Sequence, residues 1–149
     1  MKNYLPTAIL SLCFTTSFFA QDLSREEAAD SVYRITEEMP RFPGCEDEFT
    51  DKKEKEKCSQ KEMLAFIIEN LEYPEAAEKN GVAGTVIVTF LVKNDGSISN
   101  PEIVRSISPE LDEEALRIID LFPDWIPGKH RGKVVPVQFN VPIPFRIRK

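Results

Sequence analysis

Histidine and cysteine, which commonly supply catalytic bases, thiol nucleophiles and zinc ligands, are scarce in this sequence. Its 149 residues include one histidine and three cysteines. The histidine, His130, stands between Lys129 and Arg131, and no serine or cysteine lies near it in the sequence. A serine or cysteine nucleophile is activated by a base such as histidine beside it. Structural zinc needs about four nitrogen or sulfur ligands. The stretch 81–84 lacks the lysine and hydroxyl of a phosphate loop and precedes a predicted strand. The sequence therefore predicts no enzyme, no metal and no cofactor.

The sequence also lacks an excess of positive charge. The 19 Lys and Arg residues face 25 Asp and Glu residues, and the formal net charge is −6. Nucleic acid is therefore not expected as a partner, because its binding depends on clustered cations. Acids are absent after Asp124, whereas six basic residues follow: Lys129, Arg131, Lys133, Arg146, Arg148 and Lys149. This asymmetry indicates either balance against acidic helices or a site for an anionic ligand such as peptidoglycan.

The amino terminus has the pattern of a secretory signal. An uncharged apolar stretch from Tyr4 to Ala20 follows Lys2, and polarity changes abruptly at Gln21. We predict a signal peptide at 1–20 that is cleaved after Ala20, and therefore an exported protein. The alternative is an uncleaved inner-membrane anchor facing the periplasm, although about 17 residues is near the lower limit for a membrane span.

Residues 21–58 are interpreted as an acidic extension. Cys45 and Cys58 are the two cysteines of the exported chain, and in an oxidising compartment they predict one disulfide. By the chain-entropy model, closing this loop stabilises the protein by roughly 3 kcal/mol. The sequence further predicts a helix from Ser24 to about Glu38, a break at 39–44 where two prolines and a glycine occur, and a charged surface loop at 47–57.

Residues 59–149 have the periodicities of a mixed α and β domain. Ser59 and Glu62 form a capping box for a helix of about 60–70, and Pro74 begins a short helix that ends at Gly81. Apolar residues on both faces predict a central strand at 84–92. The remaining predicted elements are a tight turn at 94–96, an antiparallel strand at 97–105 with a bulge or free edge at Pro101, a helix beginning at Pro109, and a final strand at 135–147.

The final strand has one side that is poor in hydrogen-bond donors. Its odd-numbered residues are apolar, and prolines occupy the even positions 136, 142 and 144. Because successive N–H groups point to opposite sides of a strand, the odd-numbered donors are expected to pair with the domain's own sheet. The strand should therefore lie at the rim. Nearby, Trp125 is either a plug over the open end of the core or an exposed contact.

Taken in order, these motifs resemble a known family. The residues that carry the resemblance are Tyr73-Pro74, Ala76-Ala77, Gly81, Gly84, the alternating strand 86–92, Asp95-Gly96, Leu111-Asp112-x-x-Ala115, Trp125-x-Pro127-Gly128-Lys129, and Val141-Pro142-Ile143-x-Phe145. The pattern is similar to the C-terminal domain of the TonB energy-transducer family, in the form common in Bacteroidetes-type bacteria. The resemblance covers 73–147 closely and 39–72 more loosely.

The resemblance implies a small α+β fold with a three-stranded antiparallel sheet and helices packed on one face. It also implies a non-catalytic periplasmic protein that binds an outer-membrane TonB-dependent transporter by pairing a transporter segment with a sheet edge. Tyr73 and Pro74 match the family motif near the partner contact. On the last strand, a partner would use the donors of Gln138 and Asn140 between the prolines, or approach the opposite rim.

Other functional interpretations stay open at this point. The chain is alternatively a membrane-anchored energy transducer that keeps its amino-terminal segment, or a cell-wall-binding module that uses its basic carboxyl-terminal residues. A homodimer formed by exchange of the last strand is a further alternative.

Overall fold

The computed structural model describes residues 31–147. The predicted signal peptide and the first part of the helix predicted from Ser24 lie outside the described residues. Along the described chain the order is helix α1 (Lys52–Asn70), helix α2 (Glu75–Lys79), strand β1 (Gly84–Val92), strand β2 (Ile98–Arg105), helix α3 (Pro109–Asp120), strand β3 (Lys129–His130), strand β4 (Lys133–Val134) and strand β5 (Val137–Phe145).

A three-stranded antiparallel sheet is the centre of the fold. Its strand order is β2-β1-β5, and β3 pairs with β4 as a separate short hairpin. Strand β1 is central, as its two apolar faces predict, and it pairs with β5 along its whole length from Gly84 to Val92. The predicted fold class, α+β with a three-stranded antiparallel sheet, is confirmed.

The core lies between one face of the sheet and helix α3. Even-numbered residues of β1 and odd-numbered residues of β5 pair across the strands and lie on the same side of the sheet, where all but the half-buried Gly84 and Phe139 are buried. Helix α3 begins at Pro109 with Ser108 as its N-cap, whose side chain accepts from the Leu111 N–H. Its buried apolar stripe packs into the same cluster: Leu111, Ala115, Ile118 and Ile119.

The turn between β1 and β2 is tied to the segment that follows α3. Gly96 adopts a φ of +86°, and its carbonyl accepts a hydrogen bond of 2.8 Å from the Trp125 N–H. A Cβ at this position would lie 2.1 Å from the Trp125 carbonyl oxygen. Beyond the turn, the β1–β2 register shifts between Thr89 and Leu91, which places the predicted irregularity near Pro101 on an edge strand.

Helix α1 begins earlier than the sequence predicts. Its N-cap is Asp51, whose carboxylate accepts from the N–H groups of Lys53 and Glu54. The charged loop predicted at 47–57 is therefore wrong from Lys52 onward, and Ser59 is a buried residue within the helix instead of its cap. Lysine and glutamate are good helix formers, so a charged run extends the helix once Asp51 caps it.

The helix predicted over 24–38 is wrong in its described part. Residues 31–38 form no helix, and Tyr33 and Glu38 instead make isolated β-bridges to Val137 and Lys129. Pairing with these strand residues satisfies the backbone groups that a helix would have satisfied. Three of the residues are also β-branched, which lowers helix propensity: Val32, Ile35 and Thr36.

An aromatic cluster closes one end of the core. Trp125 is 3% exposed, so it is the predicted plug and not an exposed contact. Phe42, from the segment that precedes α1, lies 5.8 Å from Trp125 between ring centroids. Phe66, Phe90, Phe122 and Phe139 complete the cluster. Residues ahead of position 59 thus belong to the core, and α1 runs across the predicted boundary between extension and domain.

Candidate partner-binding edge

Strand β5 lies at the edge of the sheet and exposes a short row of backbone groups. The Gln138 N–H points away from β1, since it donates to the Tyr33 carbonyl at 2.8 Å. Because N–H direction alternates along a strand, the Asn140 N–H points the same way. Pro136, Pro142 and Pro144 stand at the other even positions and have no N–H. From 136 to 144, only Gln138 and Asn140 carry outward donors, as the sequence predicts.

The amino-terminal part of the described chain occupies half of this row. The Tyr33 N–H donates to the Pro136 carbonyl at 3.0 Å, and the Tyr33 carbonyl accepts from Gln138. The result is a parallel bridge between Tyr33 and Val137. We call residues 31–38 the arm. Sequence reasoning missed this contact because the pattern of 24–38 favours a helix and contains no signal for pairing with a distant strand.

The Asn140 half of the row is open. Asn140 is exposed, and within 31–147 its N–H has no hydrogen-bond acceptor outside the strand ladder. Beside it lies a groove of about 500 Å³ on the outer face of the sheet. The lining residues come from the arm region, β1, β2 and β5: Arg34, Met39, Thr89, Val104, Gln138, Phe139 and Asn140. A strand added at this edge would place side chains against this groove.

Tyr73 and Pro74 lie elsewhere on the domain. The Tyr73 hydroxyl donates to the Val82 carbonyl, and its ring packs edge-on against Phe145 at 5.9 Å between centroids. Burial, and then the Glu78 carboxylate, raise the pKa of the Tyr73 hydroxyl, so it keeps the proton that it donates. Pro74 is the N-cap residue of α2. Both residues thus help to shape the chain where α1 leads into α2.

The structure does not bring the four predicted partner-binding residues into one site. Tyr73 contacts Phe145 at one end of β5, whereas Gln138 lies near the other end. At the usual rise of a strand, the positions 138 and 145 are roughly 23 Å apart. Gln138 and Asn140 form one candidate site, and Tyr73 and Pro74 form a second.

The surroundings of Tyr73 and Pro74 are acidic and internally bonded. The buried Glu114 carboxylate accepts from the Glu72 N–H at 2.8 Å and from two nitrogens of Arg117 at 2.7 Å. Arg117 also donates to the Asn70 carbonyl at 2.6 Å, and hydrogen bonding to Glu114 raises its pKa. This network ties the end of α1 to α3, which is a structural role.

His130 is placed for packing. Its ring lies 5.2 Å from the Tyr33 ring between centroids, and its Nδ1 atom is buried without a hydrogen-bond partner among residues 31–147. In the same short hairpin, the Arg131 N–H donates to the Glu37 carboxylate at 3.1 Å. His130 and Arg131 therefore both contact the arm, and no nucleophile is bonded to the imidazole in the described chain.

The family model for the C-terminal region of the Gram-negative bacterial TonB protein matches residues 69–147. The match covers more than half of the 149 residues. The chain belongs to the TonB C-terminal domain family. Domains of this family are non-catalytic, act in TonB-dependent transport and interact with outer-membrane TonB-dependent transporters, and the family functions in the periplasm.

Solved structures of TonB C-terminal domains are also similar to the chain. Two NMR solution structures of the Helicobacter pylori domain are 24% and 25% identical to it, each covering 60% of this chain and 81% and 95% of their own, with TM-scores of 0.47. The NMR structure of the Pseudomonas aeruginosa domain is 29% identical and covers 52% of this chain and 79% of its own, with a TM-score of 0.43. A comparison with curated proteins found no match.

In this TonB C-terminal domain, residues ahead of the family match are fastened to the core. A disulfide joins Cys45, which is fully buried, to Cys58 on α1. Arg41 pairs with Ile126 through two backbone hydrogen bonds of 3.0 and 2.9 Å, and Phe42 enters the aromatic cluster. None of the helices described within 31–147 combines the length and apolar character needed to cross a membrane.

Proposed function

We propose that this protein is a periplasmic binding protein that engages an outer-membrane TonB-dependent transporter by adding a transporter strand to the outer edge of β5. The observation that carries the proposal is the pair of outward donors at Gln138 and Asn140 on an edge strand whose other even positions are prolines. An edge strand with free backbone groups is a template for an incoming chain.

The prolines define where such a strand would pair. Each residue of β5 directs its N–H and C=O to the same side, so the carbonyls of the even residues also face outward. Pro142 and Pro144 offer acceptors only, whereas Asn140 offers both a donor and an acceptor. We therefore place the centre of pairing at Gln138–Asn140, with side-chain selectivity supplied by the adjoining groove.

Two substitutions at Asn140 separate backbone pairing from side-chain contact. Asn140→Pro removes an outward N–H that the sheet does not use, so the domain should fold, as it does with proline at 142 and 144. Loss of one hydrogen bond and of the adjoining strand pairing should weaken binding by about tenfold or more. Asn140→Ala keeps the N–H and should retain binding.

The measurement is fluorescence anisotropy with a labelled synthetic peptide from the periplasm-facing amino-terminal segment of a TonB-dependent transporter. Circular dichroism checks that both variants fold. Equal affinity of Asn140→Pro and Asn140→Ala would exclude pairing at this edge. Substitution of Val137 by proline would be a poor test, because the backbone N–H groups of the odd-numbered residues of β5 point toward β1. Val137 pairs with Val92, so the change would disturb the sheet itself.

The periplasmic part of the proposal takes residues 1–20 as a signal that is removed. Mass spectrometry of the protein purified from the envelope tests this directly, with a mature chain beginning at Gln21 as the expected result. Retention of residues 1–20 would contradict removal and support the anchored energy transducer.

A further inference from the structure

The arm uses the same backbone groups that a transporter strand would need. Tyr33 makes both of its backbone hydrogen bonds, of 3.0 and 2.8 Å, to the outward groups of Pro136 and Gln138. Gln138 supplies one of only two outward donors between 136 and 144. A second strand cannot bond to the Gln138 N–H while the Tyr33 carbonyl holds it, because one N–H makes one full-strength hydrogen bond.

The part of the arm near Tyr33 is lightly held. Ile35 is 84% exposed and Val32 is 51% exposed, so neither residue anchors the arm by apolar burial. Besides the two backbone bonds, the described contact at Tyr33 is with the His130 ring. Segments with little buried apolar surface open locally at small free-energy cost.

The other end of the arm is firmly attached. Glu38 and Lys129 exchange two backbone hydrogen bonds of 3.0 and 2.9 Å. A Cβ at Gly128 would lie 3.0 Å from the Glu38 carbonyl oxygen, so the chain passes close to the domain here. Behind Glu38 follow the Arg41–Ile126 pair, the buried Phe42 and the disulfide. Tyr33 therefore remains tethered a few residues from the fixed Glu38 when it leaves the edge. Its effective concentration at the β5 edge stays high.

From this geometry we infer that the arm competes intramolecularly with a transporter strand for the β5 edge. It covers the edge at Gln138 until the transporter strand displaces it. The inference rests on the proposed function and adds its regulation. When a binding-competent state is only partly populated, apparent affinity falls by that fraction. Two backbone hydrogen bonds favour the closed arm by roughly 5-fold to 150-fold before the entropy of ordering is subtracted.

Tyr33→Pro tests the inference in the full mature chain. It removes the donor to Pro136 and disfavours the paired backbone, so the edge should be exposed without a change in the core. We expect the transporter peptide to bind about tenfold more tightly than to the wild type. Val32→Pro is the matched control, because it introduces a proline ring one residue earlier, where the N–H has no acceptor among the described residues. It should leave the affinity for the transporter peptide unchanged.

Two further measurements follow the arm itself. Amide hydrogen exchange should show a protected Gln138 N–H in the wild type and faster exchange in Tyr33→Pro. A synthetic peptide with the sequence of residues 31–38 lacks the attachment at Glu38, so it is added at millimolar concentration; it should then compete with the transporter peptide for the Tyr33→Pro protein and restore the weaker binding of the wild type.

The outcomes separate this inference from the proposed function. If Asn140→Pro abolishes binding but Tyr33→Pro changes affinity by less than about twofold, the arm is no competitor, and the edge still binds the transporter. Equal gains in Val32→Pro and Tyr33→Pro would also overturn the inference. If Asn140→Pro has no effect, the edge is not the docking site, and both proposals fail.

Discussion

Phe42→Ala tests whether the segment ahead of α1 is a structural part of the domain. Phe42 is 6% exposed, and its ring lies 5.6 Å from Phe66, 5.5 Å from Phe122 and 5.8 Å from Trp125 between centroids. Burial of a phenylalanine removes a large apolar area from water, and truncation to alanine in a core destabilises proteins by about 3–5 kcal/mol.

We expect Phe42→Ala to lower the free energy of unfolding by about 3 kcal/mol, near the lower end of that range. Phe42 lies on a connecting segment at the margin of the core, where neighbours can partly fill the space. The paired Arg41 and the disulfide at Cys45 hold the backbone in place, so the segment cannot move inward freely. Some of the cavity should therefore remain.

The assay is urea unfolding followed by tryptophan fluorescence. Trp125 is the only tryptophan and lies against Phe42, so it reports on the site directly. Ile35→Ala is the control, since Ile35 is 84% exposed and its truncation should change stability by less than about 0.5 kcal/mol. A loss below about 1 kcal/mol for Phe42→Ala would refute the reasoning and show that the segment is only appended to the domain.

Two further predictions concern backbone constraints and the disulfide. Gly96→Ala should destabilise the domain by about 3 kcal/mol or more, because a Cβ there would lie 2.1 Å from the Trp125 carbonyl oxygen. Gly132 also has a positive φ, but open space surrounds it, so Gly132→Ala should lower stability by only about 1 kcal/mol. Similar losses of stability for both variants in thermal unfolding would contradict the steric argument. Reduction of Cys45–Cys58 should lower stability by roughly 3 kcal/mol, measured as a shift in urea midpoint with and without reductant, and an unchanged midpoint would show that the loop does not constrain the unfolded chain.

Elements with strong local signals are predictable from this sequence. Strand β1 occupies 84–92 as predicted, because every residue after Gly84 has an apolar or β-branched side chain and a tight turn follows. Helix α3 begins at Pro109 with Ser108 as its cap, since both local signals agree there. The donor-poor side of β5 follows from the alternation of proline along the strand.

Elements whose structure depends on distant partners are not predictable in this way. Residues 31–38 have a composition compatible with a helix, yet their backbone pairs with β3 and β5, about a hundred residues away in the chain. Local signals do not determine the start of α1, because Asp51 and Ser59 are both acceptable caps. Only the structure shows that Asp51 caps the helix and that Ser59 and the disulfide-bonded Cys58 both lie within it.

In the candidate site, too, some features are predictable from the sequence and others depend on the tertiary structure. By itself, the sequence determined that the last strand is a rim strand and that, between Pro136 and Pro144, only Gln138 and Asn140 carry outward donors, because proline lacks an N–H and strand geometry alternates. Only the tertiary structure decided that Tyr33 bonds to Gln138 while Asn140 stays open, and that Tyr73 and Pro74 lie at the far end of β5. Those relations join residues far apart in the chain, and local periodicity carries no information about them.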